Sequence, residues 1–431
     1  MTAFRGSILH CLADPGESGD RSKIEHFEDG LLLVRDGRIA ALGPAADVEP
    51  TLGPDIEIVD HRGRLIVPGF IDCHVHFPQV DIIASYGEQL MDWLSRYAFP
   101  AEERFADAEH AAEVAEFFLD ELLANGTTTA LVFPTVHPAS VDAIFTAAEA
   151  RNLCLVSGKV MMDRNCPETL RDDPDSAYAD SRELLEKWHG RGRLGYAITP
   201  RFAVTSSEAQ LAAAGRLAAE FPDVHVHTHL AENEEEVQLI ARQFAWSRSY
   251  FDVYEHFGLA RERAVFAHSL HLDEQDRTQM AAHGCSIAFC PTSNLFLGSG
   301  HFDLRAARRH RIPVGVGTDV GGGTSLSVLR TLHEAYKVLH VRGQPLPAFR
   351  ALYLATLGAA EALCLDDRIG NFAVGKEADF VVLDGDAASI TARRLGNATE
   401  LEERLFALIM LGDDRHVAET RVMGSLAYAA G

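Results

Sequence analysis

Val67-Pro68-Gly69-Phe70-Ile71-Asp72-Cys73-His74-Val75-His76 is a short apolar run that ends in two histidines one residue apart. The run has the composition of a β-strand. Side chains alternate faces along a strand, so His74 and His76 point the same way. Two imidazoles on one face, at the C-terminal end of a strand, make half of a transition-metal site. Alone, the pair is equally consistent with two polar residues at a strand edge, so further ligands have to come from elsewhere in the chain.

Downstream the pattern alternates. Apolar residues at helical spacing over residues 109–123 (Val114, Phe117, Phe118, Leu122) stop at Asn125-Gly126. Thr127-Thr128-Thr129-Ala130-Leu131-Val132-Phe133 then reads as a buried strand. Helices are expected over 140–150, 181–189, 207–220, 234–242 and after Thr324. Strands are expected over 153–159, 194–198, 224–229, 264–268, 286–289 and 314–317. Such alternation implies parallel βαβ units, and about eight of them over roughly three hundred residues imply a (β/α)₈ barrel.

Upstream, Leu31-Leu32-Leu33-Val34 and Ile39-Ala40-Ala41-Leu42-Gly43 flank Asp36-Gly37, a hairpin signal. A β pattern returns over 370–384. The expected fold is therefore α/β: a distorted (β/α)₈ TIM-type barrel over 68–370, with a small flanking β-sandwich domain built from residues 1–67 plus 371–431.

Composition narrows the function. The chain has 431 residues, 47% of them apolar, enough for a large core. Its net charge of −24 argues against nucleic acid or an anionic membrane as partner. Seven cysteines, an odd number with no C-x-x-C pair, suit a reducing compartment better than a disulfide framework. No basic start followed by an apolar run marks a signal peptide, and no apolar stretch is long enough to span a bilayer. A cytoplasmic location is expected.

In such a barrel, polar residues at the C-terminal strand ends converge on one face. Val224-His225-Val226-His227-Thr228-His229 ends in His229, with His225 and His227 deeper on the same face. Ala264-Val265-Phe266-Ala267-His268 ends in His268, and Val314-Gly315-Val316-Gly317-Thr318 leads into Asp319. Singly, His268 reads as a loop histidine and Asp319 as a helix N-cap. Together with His74 and His76 they describe a metal site. His74, His76, His229 and Asp319 form a nitrogen-rich set with one carboxylate, which suits Zn²⁺ or Fe²⁺ rather than Mg²⁺ or Ca²⁺. A cation so held would acidify a water toward neutral pH. Glu232, three residues after His229, is placed to shuttle protons between that water and a substrate nitrogen; its other reading is an acid in the first turn of the next helix, beside Glu234, Glu235 and Glu236.

With these residues in place, the chain resembles the amidohydrolase superfamily. The motif Pro68-Gly69-Phe70-Ile71-Asp72-x-His74-x-His76, then His229, His268 and Asp319, and a Gly-x-x-x-x-Gly-Lys-x-Ala-Asp-Phe-Val run from Gly370 to Val381 carry the likeness. Within it, four stretches resemble the guanine deaminase family: His76-Phe77-Pro78-Gln79, the block from Leu90 to Glu102, Pro200-Arg201-Phe202-Ala203, and Cys290-Pro291-Thr292-Ser293-Asn294-Leu295. The resemblance implies one metal ion on His74, His76, His229 and Asp319. It implies that Glu232 transfers protons to and from the purine, that Asp319 deprotonates the attacking water and that His268 hydrogen-bonds it. Gln79 and Arg201 would read the ring nitrogens and the 6-carbonyl, with Phe202 and Trp93 packing near the ring. The reaction implied is attack at C2 of guanine, giving xanthine and ammonia, by a homodimer. An arginine fork has donors and no acceptor, which favours a 6-oxo purine over adenine.

Rival readings keep the barrel. Deamination of 8-oxoguanine, a pterin or a triazine would retain the metal set and change the contacts of Gln79, Arg201 and Trp93. Ring-opening amide hydrolysis would favour two metals bridged by a lysine, for which Lys159 is the candidate. A metal-free interaction protein on the same barrel would have lost ligands, and here all are present.

Overall fold

The computed structural model describes residues 1–87 and 89–431. The strands in chain order are β1 (Thr2–Cys11), β2 (Ile24–Arg35), β3 (Arg38–Pro44), β4 (Glu57–Pro68), β5 (Phe70–His76), β6 (Thr127–Phe133), β7 (Cys154–Ser157) and β8 (Val160–Met161). They continue with β9 (Leu194–Pro200), β10 (His225–Leu230), β11 (Ala264–His268), β12 (Ser286–Phe289), β13 (Val314–Val316), β14 (Phe380–Leu383), β15 (Val417–Val422) and β16 (Ser425–Ala429). The chain divides into two compact units, Met1–Asp72 with Asp120–Thr129 and Leu326–Gly431, and Cys73–Leu119 with Ala130–Ser325.

The first unit carries a seven-stranded sheet made by both ends of the chain, in the order β16-β15-β14-β4-β1-β2-β3. Asp36 and Gly37, with φ of 50° and 76°, form the tight turn between β2 and β3. Positive φ at both positions suits Asp-Gly. Alternation along β2 sends Leu32 and Val34 to one apolar cluster, with Phe4, Ile66 and Phe380, and Leu31 and Leu33 to another, with Ala3 and Val48. The C-terminal run is only partly a strand. Residues 370–379 form a loop that bonds back to the hairpin (Gly375 N–H to Ile39 O, 2.8 Å; Ala378 N–H to Gly37 O, 2.8 Å), and β14 begins at Phe380. Two helices, Ser389–Leu395 and Leu401–Leu411, follow where the sequence suggested only β structure.

The second unit holds the C-terminal ends of β5 and β6 and the strands β7 to β13. The parallel path runs β5-β6-β7-β9-β10-β11-β12-β13, with β8 beside β9. The strands are buried on both faces; β6 and β11 have no exposed residue. The ring is nearly closed: the Asp319 N–H donates to His74 O at 2.8 Å, and the His76 N–H donates to Val320 O at 2.9 Å. The eight-stranded barrel is the expected one. Strand β7 stops at Ser157 rather than continuing to Lys159. The helix expected over 181–189 begins at Pro174, because Asp173 caps it through the N–H groups of Asp175 and Ser176 and the proline fits its first turn.

After β5, residues 90–103 run as one helical stretch with a wide turn over Leu94–Ala98. Pro100 has no N–H to give back to the preceding turn, which accounts for the widening. Among the described residues no helix is long and apolar enough to cross a membrane.

Candidate metal centre and substrate pocket

His74 and His76 leave the end of β5 on one face, as alternation requires. His229 comes from β10, and Asp319 follows β13. The His76 Nε2 atom lies 3.2 Å from His74 Nε2 and 3.2 Å from His229 Nε2. Asp319 Oδ1 is 3.2 Å from His74 Nε2 and 3.4 Å from His76 Nε2. Bonds of about 2.0–2.1 Å to a tetrahedral zinc ion set neighbouring ligand atoms about 3.3–3.4 Å apart. Four donor atoms at these separations fit one such ion.

The charges agree with that fit. Burial holds the imidazoles of His76 and His229 well below their usual pKa, and it lowers His74 as well against the pull of Asp319. Burial pushes Asp319 up, but His74, His268 and His229 overrule it and keep the carboxylate far below its ordinary range. Neutral imidazoles and an ionised carboxylate are the forms that ligate metal. Each ring is also aimed. His229 Nδ1 donates to the Arg201 carbonyl at 2.7 Å, which leaves a lone pair on Nε2. His74 Nδ1 meets His227 Nε2 at 2.8 Å. His76 instead stacks on Phe133, with centroids 4.7 Å apart.

Glu232 and His268 stand beside this cluster. Ala231, with φ of 47°, turns the chain off β10. Glu232 precedes the N-cap Asn233, so it lies outside the first turn of helix Glu234–Gln243. Its backbone N–H donates to the Glu236 carboxylate at 2.9 Å, and Ser299 donates to its Oε1 at 3.0 Å. Burial pushes the Glu232 carboxyl up to about 7, His268 opposes the rise, and Asp319 and Glu236 add to it. A carboxyl that titrates near neutrality can both take and give a proton. His268 Nε2 is 3.4 Å from Glu232 and 3.7 Å from Asp319, while its Nδ1 donates to Asn294 Oδ1 at 2.8 Å. Burial opposes charging of His268, yet the two facing carboxylates raise its pKa. Cys290 also reaches the cluster's edge beside His268 and Asp319, a neighbour that strand-end reading did not include.

Gln79, Trp93, Arg201 and Phe202 line one cavity with His76, His229, Glu232, His268 and Asp319. With His74, which contacts His76 and Asp319, the residues singled out for a single metal ion, proton transfer and substrate meet in one place; Lys159, the candidate for bridging a second metal, does not join them. Sequence reasoning missed Glu102 as a member of this set. Arg201 Nη1 contacts both its carboxylate oxygens, at 2.7 and 2.6 Å, and Gln79 Nε2 donates to the same carboxylate at 2.9 Å. Gln79 Oε1 accepts the Gly321 N–H at 3.1 Å, so its amide cannot turn round without losing both bonds. The Arg201 guanidinium also lies 5.4 Å from the Phe99 ring centroid. Asn294 and Ser299, which hold His268 and Glu232, were likewise not singled out for these contacts. Lys159 sits apart from the centre's polar contacts, its Nζ 2.5 Å from Asp172.

Arg201 and Glu102 are 2% and 1% exposed, so removing one partner strands a buried charge. Glu102→Ala is expected to lower the free energy of unfolding by about 3–5 kcal/mol. A urea titration of variant and parent reads the change; an unmoved midpoint would mean that Arg201 does not depend on this carboxylate.

The amidohydrolase family model matches residues 65–426. The guanine deaminase of Escherichia coli (strain K12) is 48% identical to the chain, over 99% of this chain and 98% of its own length. The solved structure of the E. coli guanine deaminase superposes with a TM-score of 0.98, covering 100% of both chains. A guanine deaminase from C. acetobutylicum, solved with guanine bound in its active site, is 27% identical with a TM-score of 0.90, covering 99% of this chain and 100% of that one. An adenosine deaminase from Xanthomonas campestris, solved with bound zinc, shares the fold at 23% identity and a TM-score of 0.84, covering 99% of this chain and 93% of that one.

Proposed function

The chain belongs to the amidohydrolase family, and from that membership and its pocket we infer that it deaminates guanine hydrolytically to xanthine and ammonia. The observation that carries the reading is the meeting of a four-donor metal centre, a carboxyl poised near neutrality and a donor-rich wall in one cavity. His74, His76, His229 and Asp319 would hold the ion, and zinc suits three imidazoles with one carboxylate. When bound, the ion supplies Lewis acidity and makes hydroxide available near neutral pH.

The chain's own residues do the rest. Arg201 turns toward the ring the N–H groups that Glu102 does not take, and Gln79 adds its second amide hydrogen. The indole N–H of Trp93, buried and without a hydrogen-bond partner among the described residues, is a further donor. A wall of donors donates to the 6-carbonyl and the bare ring nitrogens of guanine, and it leaves the 6-amino group of adenine without an acceptor. Phe202 and Trp93 pack near the ring. Asp319 receives a proton from the attacking water, with His268 fixing that water in place. Glu232 hands a proton to the ring nitrogen next to C2 as the water oxygen bonds to carbon. Left as a carboxylate, Glu232 takes the proton of the new C2 hydroxyl and hands it to the amino group. The C2–N bond breaks as the C2 carbonyl forms, ammonia leaves, and the proton held by Asp319 returns to Glu232. One water is consumed for each guanine.

Ammonia release from guanine, 8-oxoguanine, adenine and isoxanthopterin tests the reading. Guanine is expected to turn over, and adenine to be inert. Turnover of another ring without guanine would discard the roles given to Gln79 and Arg201 and leave the metal chemistry standing.

A further inference from the structure

We propose that His227 is the positioning residue for His74, holding that ring in the one tautomer and plane in which Nε2 offers a lone pair to the ion; this rests on His74 being a metal ligand. Along β10, His225, His227 and His229 fall on one face because the strand repeats every two residues. Only His229 reaches the mouth. His227, one step deeper, is fully buried, and its Nε2 lies 2.8 Å from His74 Nδ1 with the two rings nearly perpendicular at 88°.

A neutral imidazole carries one N–H, so this contact has two arrangements. His74 Nε2 faces Asp319 Oδ1 at 3.2 Å and His76 Nε2 at 3.2 Å, on the side where the ion would sit. A coordinated neutral His74 therefore keeps its proton on Nδ1 and donates it to His227 Nε2. The His227 proton then lies on Nδ1, and that atom has no hydrogen-bond partner among the described residues. A buried donor without an acceptor is unfavourable for folding. A residue that served only to fill the barrel would be better replaced by an apolar side chain. The fold keeps an unpaired N–H at 227, and what it gains in return is an acceptor aimed at His74.

The two roles separate by experiment. Zinc loss from the loaded protein to a chromogenic chelator gives the metal affinity, and thermal melting of the metal-free protein reports the fold. His227→Leu is expected to bind zinc about 10–100-fold more weakly, the usual effect of losing such a partner, while its metal-free form melts no lower than the parent. His227→Gln, whose carbonyl can still accept from His74, is expected to stay near the parent affinity. A leucine variant that binds zinc like the parent overturns the proposal, as does a glutamine variant as weak as the leucine one. If the leucine variant does not fold, ¹H–¹⁵N spectra of the zinc-loaded parent decide: Nδ1–H tautomers at both His74 and His227 support the proposal, and an Nε2–H tautomer at His227 overturns it. A parent that binds no zinc removes the metal centre itself, an outcome distinct from all of these.

Discussion

Glu232→Gln is expected to lower guanine turnover by about 10³-fold and to leave the zinc content at the parent level. The substitution keeps the shape of the side chain and its ability to accept from Ser299, but the amide neither takes nor releases a proton. Positioned proton transfer contributes on the order of 10²–10⁴ to rate, and the upper part of that range is expected because the same carboxyl serves both the ring nitrogen and the leaving amine. Metal content should not move, since the four converging donor atoms belong to His74, His76, His229 and Asp319. Turnover at saturating guanine, with zinc measured by atomic emission on the same sample, gives both readings. Activity within tenfold of the parent would place the proton relay elsewhere. Loss of zinc with activity would make Glu232 a ligand.

Complete removal of the cation is expected to abolish turnover, and stoichiometric zinc to restore it. Without the ion nothing lowers the pKa of the attacking water, and three clustered imidazole nitrogens are left facing one another. The protein also loses the stability that ligand binding gives the folded state. At free zinc a thousandfold above its dissociation constant this amounts to about 4 kcal/mol. Dialysis against a chelator, followed by activity and thermal melting before and after zinc is returned, checks both effects. Full activity in protein shown to be free of metal would end the hydrolytic reading, and a melting temperature indifferent to zinc would mean that the centre is not built in the folded state.

Much of this was legible because a parallel barrel turns strand order into spatial order. A histidine after an apolar run, repeated at β5, β10 and β11 with an aspartate after β13, reads as a convergent site once the runs are taken as barrel strands. The second half of the site was less accessible. Glu102 lies in a helical stretch between β5 and β6, and only the three-dimensional path brings its carboxylate to Arg201, ninety-nine positions along the chain. The block containing it could be matched to a family, but no periodicity singles out that acid from its neighbour Glu103. Lys159, the candidate only of the rival two-metal reading, shows the opposite case. Leu155-Val156-Ser157-Gly158 looks like a strand leading into a lysine, yet the strand stops at Ser157 and Asp172, thirteen residues on, takes the ammonium group. The two helices after β14 escaped because the apolar runs around them suited a continuing sheet.

Arg201 has two jobs done by different parts of one residue. Its main-chain carbonyl accepts from His229 Nδ1, and its side chain, held by Glu102, lines the cavity in which the proposed reading places the substrate. Any amino acid has a carbonyl, so the first job survives substitution at 201 and the second does not. Ring preference is thereby a separable trait. A library that varies Gln79 and Trp93 freely and replaces Glu102 and Arg201 only together, so that neither buried charge is stranded, searches new nitrogen heterocycles while leaving His74, His76, His229 and Asp319 in place.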